Sequence, residues 1–296
     1  MRTGVFFSAD GTLEQLGEQF ADAAQRGFDS AWIPNIFGFD ALTAIAAVGN
    51  RAQKIEIGTA VIPTYPRHPM MLASQALTTQ AAIGNRLALG IGLSHQIVIE
   101  NMFGYSFERP ARHMKEYLQV LLPLLDGRPV NAQGETLKAA GQLSVAGATR
   151  PPVLLAALAP TMLKLAGGVA DGTVTWMTGP ATVASHIAPS IAAAAEAAGR
   201  PAPRIVVALP TLVTDDVDGA KDRAAKSFVI YGGLPSYRAM LDREGAAGPA
   251  DVVIAGDESS VRKAIDGVRD AGATEFVAVP FGTAEENART LDVVRG

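Results

Sequence analysis

Residues 55–92 read IEIGTAVIPTYPRHPMMLASQALTTQAAIGNRLALGIG and contain one complete strand–helix–strand unit. Apolar runs at 55–62 and 87–91 predict two strands, and the Ala/Leu-rich stretch at 70–83 between them predicts a helix. Two strands joined by a crossover helix run parallel in one sheet. This unit therefore defines the pattern for the rest of the chain.

The same alternation continues along the chain and predicts eight strands and nine helices. The strands are predicted at residues 3–7, 30–33, 55–62, 87–91, 153–156, 173–175, 205–213 and 275–279. The helices are predicted at residues 13–26, 41–52, 70–83, 111–125, 161–170, 182–198, 217–231 and 261–271, with a last helix from about 284. This alternation without a dividing linker favours an α/β fold, a single (β/α)8 TIM barrel domain over residues 1–296, rather than an open doubly wound sheet.

Several boundaries have their own local signals. Thr12 with Gln15 and Thr283 with Glu286 fit capping boxes, and Gly27 follows the first helix where a left-handed residue is favoured. Two stretches exceed the minimal repeat: residues 93–110 after the fourth strand, and residues 127–150, which predict a hairpin inserted before the fifth. Long connections of this kind often bind or cover ligands.

The insertion after the fourth strand combines charged and aromatic residues. Its charged residues, Glu100, Glu108, Arg109 and Arg112, favour a solvated loop held by ion pairs. The aromatic residues between them, Phe103, Tyr105 and Phe107, allow the alternative that this loop covers a ligand.

Composition excludes several classes of function. The 296 residues carry 25 Lys and Arg against 29 Asp and Glu, and a net charge of −4 argues against a nucleic-acid partner. The absence of cysteine excludes disulfides, thiolate zinc sites and cysteine nucleophiles, and only four scattered histidines give no expectation of a metal site. Since no long apolar segment or signal peptide is present, we expect a cytoplasmic protein without a membrane partner.

The fourth strand ends in Gly90-Ile91-Gly92, which begins like a dinucleotide-binding fingerprint. The sixth position of that fingerprint is His95 rather than glycine, so the Rossmann interpretation fails. The two glycines either let the strand end close to a neighbour or let a flat ring approach the backbone. The sequence leaves both interpretations open.

Four motifs occur in order: FDSAWI at 28–33, IGTAV at 57–61, GNRLALGIG at 84–92 and ADG at 170–172. In this order and spacing they resemble the bacterial luciferase-like flavin superfamily. Within it, the chain most resembles the branch that uses the deazaflavin coenzyme F420, which includes methylene-tetrahydromethanopterin reductase and F420-dependent glucose-6-phosphate dehydrogenase. The resemblance is clear over about residues 1–180 and rests on the order of elements beyond them.

This resemblance implies a barrel whose C-terminal mouth holds the flavin-like ring. In the family the third strand ends in a bulge, often with a cis peptide not involving proline, that backs the ring; the matching bond is Ala60–Val61. The coenzyme phosphate is bound by backbone amides after the fifth strand, where many relatives have Gly-Gly at the positions of Leu158 and Ala159. Trp176 either lines the ring pocket or packs in the core. The predicted cofactor-binding residues are Ser8, Asn35, Ala60, Val61, Gly92, Leu93, Ser94, His95, Ala157, Leu158, Ala159, Trp176, Thr178 and Gly179.

The predicted catalytic residues are His95 and Asn35. Members that oxidise a sugar phosphate carry Asp-His after the second strand and Glu after the fourth; Asn35-Ile36 and His95 stand at these positions here, which disfavours a sugar dehydrogenase. His95 either exchanges a proton near neutral pH or hydrogen-bonds the ring or its own loop. Asn35 is expected to position the ring or a substrate carbonyl.

The predicted function is a coenzyme F420-dependent oxidoreductase that transfers a hydride between the deazaflavin and a small organic substrate. Reduction of an activated double bond or imine is the first expectation. The alternative is an FMN-dependent luciferase-like monooxygenase, which uses oxygen. More distant alternatives are a non-redox barrel enzyme and a coenzyme carrier without catalysis. The resemblance also implies a homodimer.

Overall fold

In the computed structural model, which describes residues 1–8 and 10–296, eight parallel strands close a barrel. The strands in these residues are β1 (Arg2–Phe6), β2 (Ser30–Ile33), β3 (Glu56–Thr59), β4 (Ile62–Pro63), β5 (Leu87–Gly92), β6 (Val130–Gln133), β7 (Lys138–Gly141), β8 (Val153–Leu155), β9 (Gly172–Trp176), β10 (Arg204–Val213), β11 (Ile254–Gly256) and β12 (Glu275–Pro280). The barrel order is β1-β2-β3-β5-β8-β9-β10-β12, and β12 pairs with β1. The prediction of a TIM barrel is confirmed.

Helices surround the barrel and carry its mouth loops. They are α1 (Leu13–Arg26), α2 (Ala41–Val48), α3 (Pro69–Ala82), α4 (Gln96–Asn101), α5 (Pro110–Leu125), α6 (Pro160–Gly168), α7 (Pro180–Thr182), α8 (Ala188–Ala197), α9 (Val217–Ser227), α10 (Val229–Gly233), α11 (Pro235–Glu244), α12 (Glu258–Asp270) and α13 (Ala284–Arg295). The predicted capping boxes begin α1 and α13, and Gly27 ends α1 with φ +81°. The predicted insertion before the fifth barrel strand contains the antiparallel hairpin β6–β7.

The interior of the barrel is organised around Trp32, which is completely buried. A Cβ atom at Gly58 would overlap the Trp32 ring, and one at Gly4 would lie 3.2 Å from its Nε1 atom. The Trp32 indole N–H donates to Ser30 Oγ at 2.8 Å and to Glu275 Oε1 at 3.0 Å. The two glycines therefore make room for one large side chain that is hydrogen-bonded inside the barrel.

Two predicted elements differ from the structure near the mouth. The strand predicted at 55–62 is interrupted after Thr59 and resumes as β4, which pairs with β5 instead of β2. The helix predicted at 217–231 ends at Ser227, and α10 begins within the predicted range at Val229. The elements α11 and β11 follow where the sequence predicted none. Gly232-Gly233 ends α10, and Pro235 at the first position of α11 starts a new helix, because proline lacks the N–H that a continuing helix needs.

Candidate active site

The floor of the barrel mouth is formed where β3 passes into β4. Ala60 and Val61 of this bulge and Trp176 of β9 pack on the same inner-barrel cluster, which includes Trp32. The peptide bond between Ala60 and Val61 is cis, as the resemblance predicted. The bulge and Trp176 therefore lie on one apolar floor at the C-terminal ends of the strands.

Gly90 and Gly92 let β5 approach this bulge. A Cβ atom at Gly90 would overlap the Thr59 carbonyl oxygen, and one at Gly92 would lie 2.7 Å from Val61 Cγ2. The Thr59 hydroxyl accepts from the Gly90 N–H at 2.9 Å and donates to the Gly90 carbonyl at 2.8 Å. The interpretation that these glycines let the strand end close to a neighbour is confirmed. Approach of a ring to the backbone stays a prediction.

The loop between β8 and α6 presents free donors at the mouth. Within residues 1–8 and 10–296, no group accepts a hydrogen bond from the amides of Ala157, Leu158 and Ala159. Ala159 caps α6 without a side-chain hydrogen bond. His186 Nε2 lies 2.8 Å from the Leu158 carbonyl oxygen, and since a carbonyl only accepts, this nitrogen carries the proton. The loop thus combines a fixed carbonyl with amides and a helix N-terminus suited to an anion.

His186 reaches that carbonyl from an irregular helical turn. The helix predicted at 182–198 contains a π-helical turn, Val183–Ile187, in its first half. His186 is buried within this turn. Single π-turns are frequent at functional sites because they redirect side chains. No role was predicted for His186 from the sequence, so its contact with the loop between β8 and α6 was missed.

Several hydrogen-bond donors in the segment after β9 are already bound by other groups of the protein. The Thr178 hydroxyl donates to the Trp176 carbonyl at 3.2 Å. At the start of α7, the Glu244 carboxylate accepts from Ala181 N at 3.0 Å and from Thr182 N at 2.6 Å. Glu244 also fills the space that a Cβ atom at Gly179 would need. The roles of Thr178 and Gly179 in coenzyme binding stay predictions, while the next two amides bind a carboxylate of the protein itself.

His95 lies in the loop after β5, and its ring contacts a helix that follows β10. It directly precedes α4, and its ring centroid lies 5.7 Å from that of Tyr237 in α11. Burial lowers the pKa of His95 below its ordinary value, so the imidazole is neutral at pH 7. The preceding Ser94 has φ +62°, an uncommon conformation for a residue with a side chain, and such residues cluster at functional sites.

The side-chain oxygen of Asn35 is engaged in a hydrogen bond within the protein. Its Oδ1 accepts from the Ala41 N–H at 2.9 Å and so holds the start of α2. Because this contact assigns the oxygen, the Asn35 NH₂ group is left as the donor for a ligand carbonyl. Leu93 is half-buried beside the core, and Ser8 is exposed after β1.

Sequence reasoning missed a row of aromatic contacts supplied by α10, α11 and neighbouring loops. The ring centroid of Trp176 lies 5.7 Å from the ring centroids of both Phe228 and Tyr231, and both contacts are edge-on. Tyr231 in turn contacts Tyr237 at 5.0 Å. The misassigned helix at 217–231 hid this arrangement, and the only local signal was the spacing of aromatic residues around the Gly-Gly pair.

A second aromatic stack lies after β4. The rings of Tyr65 and His113 are parallel with centroids 4.0 Å apart, and Phe107 stacks on the other side of Tyr65 at 5.2 Å. Burial and the nearby Glu100 raise the pKa of Tyr65 to about 12, and burial lowers the pKa of His113 to about 4. Both groups are therefore neutral at pH 7.

The insertion after β5 is only partly a covering loop. Phe107 is packed on Tyr65, whereas Phe103 and Tyr105 are exposed. Arg109 and Arg112 both pair with Glu135 of the β6–β7 hairpin. The interpretation of a solvated loop held by ion pairs fits these contacts.

No group of three or more His, Cys, Asp or Glu side chains is arranged to hold a metal ion in residues 1–8 and 10–296. In the same residues, no helix is long and apolar enough to span a bilayer.

The chain matches the luciferase-like monooxygenase family over residues 1–295. Among curated proteins it is 29% identical over 258 residues to the 5,10-methylenetetrahydromethanopterin reductase of Methanolobus tindarius, covering 85% of this chain and 78% of the relative. The chain belongs to the luciferase-like family of oxidoreductases.

Solved structures share the fold over almost the whole chain. The coenzyme F420-dependent tetrahydromethanopterin reductase of Methanopyrus kandleri superimposes with a TM-score of 0.83 at 23% identity, over 99% of this chain and 97% of that one. The FMN-bound oxygenating constituent of 3,6-diketocamphane monooxygenase from Pseudomonas putida has a TM-score of 0.78 at 17% identity, over 100% and 97%. At these identities the similarity shows a shared fold.

Proposed function

We propose that this protein is a coenzyme F420-dependent oxidoreductase that reduces a small organic substrate. The observation that carries the proposal is the Ala60–Val61 bulge, held against Gly92 on an apolar floor that faces the mouth. The curated relative named as a methylenetetrahydromethanopterin reductase supports the same chemistry.

The residues at the mouth fit the two ends of such a coenzyme. The flat ring matches the apolar floor of Ala60, Val61 and Trp176. The anionic phosphate matches the free amides of residues 157–159 and the start of α6. Trp176 of the floor and the loop after β8 lie on neighbouring strands, since β8 pairs with β9. A ring and phosphate joined by a short chain therefore fit this mouth.

Each residue has a distinct role in the proposed reaction. When bound, the reduced coenzyme supplies a hydride from its deazaflavin carbon. Ala60 and Val61 block one face of the ring, so that the substrate approaches from the other. The Asn35 NH₂ group donates to the acceptor atom of the substrate, and His95 delivers the proton that accompanies the hydride.

The cofactor assignment is tested by titrating the protein with F420 and with FMN and following tryptophan fluorescence. Trp176 lies on the floor of the mouth, whereas Trp32 is buried inside the barrel. We therefore expect saturable quenching by F420 that is largely lost in Trp176→Phe, with FMN binding at least tenfold more weakly. Preferential binding of FMN, with oxygen consumption by the reduced complex, would instead establish the monooxygenase alternative. Binding of neither would contradict a flavin-type site.

The pH dependence of turnover tests the role of His95. Because burial lowers its pKa, the protonated donor form accumulates only as the pH falls below about 6.5, the ordinary histidine value. The facing Tyr237 keeps its proton over this range, since burial raises its pKa. We expect the rate of substrate reduction to rise as pH decreases. In His95→Asn we expect this dependence to be lost and the rate to fall about 100-fold. An unchanged pH profile in His95→Asn would exclude proton delivery by this residue.

A further inference from the structure

Six aromatic side chains form a continuous row at the barrel mouth, here called the aromatic wall. In order of contact they are Phe281, Phe228, Trp176, Tyr231, Tyr237 and His95. The four contacts among the first five rings are edge-on, with interplanar angles of 72–85°. All six residues are half-buried, so each keeps some exposed surface. The wall thus presents a row of ring surfaces to a ligand.

The wall is attached to the floor of the proposed coenzyme site through Trp176. This residue packs on the same inner-barrel cluster as Ala60 and Val61. Its Nε1 atom is buried and makes no hydrogen bond to the described residues. Because Trp176 belongs to both the floor and the wall, a molecule lying on the open side of the coenzyme ring would contact the wall with one of its own edges.

All titratable members of the wall are uncharged at neutral pH. Burial lowers the pKa of His95 and raises the pKa values of Tyr231 and Tyr237. The nearby Trp176 indole N–H offsets part of the rise at Tyr231, although it falls short of hydrogen-bond geometry. The wall offers ring faces and edges with no formal charge.

The helices α9, α10 and α11 supply the wall residues Tyr231 and Tyr237 and flank Phe228. Their cationic side chains are paired with carboxylates or exposed to solvent. Arg223 of α9 pairs with a carboxylate of α13 at 3.0 Å, and Arg238 of α11 pairs within its own helix at 2.8 Å. Lys221, Lys226 and Arg243 are exposed to solvent. Each cationic side chain described in these helices therefore pairs with a carboxylate or faces solvent, although the Nε atom of Arg223 is buried without a hydrogen-bond partner.

The rim around the mouth is also apolar. Five large hydrophobic side chains on the loops and helices after β2, β5 and β10 are 61–67% exposed: Ile36, Phe37, Ile97, Val229 and Ile230. Exposed apolar groups of this size gathered at a mouth mark an interaction site for an apolar ligand.

We propose that the aromatic wall is the substrate subsite and that it selects uncharged, flat, apolar compounds with a double bond conjugated to a carbonyl or imine. This inference rests on the proposed function. For an enone, the hydride forms a C–H bond at the β-carbon, the C=C π pair shifts toward the carbonyl, and the α-carbon then takes a proton by way of His95. The substrate gains one hydride and one proton, and the reduced coenzyme is oxidised by two electrons.

The experiment compares two probes of equal shape and different charge on the protein saturated with oxidised F420. The probes are 4-phenylbut-3-en-2-one and its para-carboxylate, and their affinities are measured by calorimetry. We expect the neutral probe to bind at least tenfold more tightly than the anion. Phe228→Ala should weaken the neutral probe about tenfold while F420 affinity changes less than twofold, since aromatic contacts favour a flat apolar ligand. Met71→Ala, at a 61% exposed position on α3, is the matched control without effect.

A second pair of variants separates loss of the wall from loss of the fold. Phe228→Lys should shift the preference toward the anionic probe, and Tyr231→Leu should weaken the neutral probe while retaining apolar volume. Equal binding of the two probes, or insensitivity of the neutral probe to all three variants, would overturn the proposal for the wall. Failure of F420 to bind is read in the separate coenzyme titration and would overturn the proposed function. If F420 does not bind but calorimetry of the protein alone still shows a Phe228-dependent preference for the neutral probe, the wall would remain a binding site.

Discussion

Replacing Gly92 with alanine will weaken binding of the coenzyme about 10- to 100-fold. The new Cβ atom would lie 2.7 Å from Val61 Cγ2 and 3.1 Å from the Ala156 Cβ atom, so the bulge carrying Ala60 and Val61 must shift. Overpacking of this kind costs about 1–3 kcal/mol, and here the cost falls on the surface that backs the ring. The measurement is the F420 titration of both proteins, with melting temperatures recorded in parallel.

Two variants make this expectation specific. Val61→Ala in the Gly92→Ala background removes the Cγ atoms that clash, so coenzyme affinity should recover by at least half of the loss on a logarithmic scale. Gly267→Ala, in α12 with no atom within 4 Å of the added Cβ, is the matched glycine control and should bind F420 normally. Undiminished affinity in Gly92→Ala would show that the ring does not depend on the Val61 surface.

The sequence predicted those parts of the molecule that depend on neighbours along the chain. Thr12 and Thr283 cap the starts of α1 and α13 because each capping box is completed three residues later. The cis bond at Ala60–Val61 was predicted only through the family resemblance, since nothing in the local sequence distinguishes it from an ordinary strand end. Gly90 and Gly92 could be interpreted in two ways until the position of Val61 was known.

The candidate site was less predictable because its contacts join distant segments. The aromatic wall brings His95 of a loop, Trp176 of β9 and Tyr237 of α11 together, and each residue alone is an ordinary half-buried aromatic. Glu244 illustrates the same point: it ends a helix and yet caps another that begins 64 residues earlier, at Pro180. Such pairings depend on the closed barrel, and residue type alone does not specify them.

Replacing Glu275 with alanine will destabilise the protein by about 3–5 kcal/mol in its free energy of unfolding. The side chain is completely buried, and it accepts hydrogen bonds from the Ser30 hydroxyl, the Trp32 indole and Arg204 Nη2, the last at 2.7 Å. Burial alone would lower the pKa of Arg204, but its hydrogen bonds and attraction to Glu56 and Glu275 raise it. Removing one partner of a buried ion pair leaves the other charge and its donors unpaired, which costs this amount.

Unfolding in urea, followed by circular dichroism and by tryptophan fluorescence, measures the effect. Glu18→Ala, at an exposed position in α1, is the control and should change stability by less than about 0.5 kcal/mol. Glu275→Gln keeps the shape of the side chain and an acceptor for Trp32. Its loss of unfolding free energy should therefore lie between the losses of Glu275→Ala and Glu18→Ala. Because Arg204 Nη2 also binds Glu56 Oε1 at 2.7 Å, that second carboxylate retains part of the attraction in both variants.

A Glu275→Ala protein as stable as the parent would show that Glu56 alone neutralises Arg204, and that Ser30 and Trp32 tolerate the loss of their acceptor. If stability falls as expected, coenzyme affinity of the folded protein should remain unchanged, since Glu275 lies at the first position of β12 and the bulge lies at the other end of the barrel.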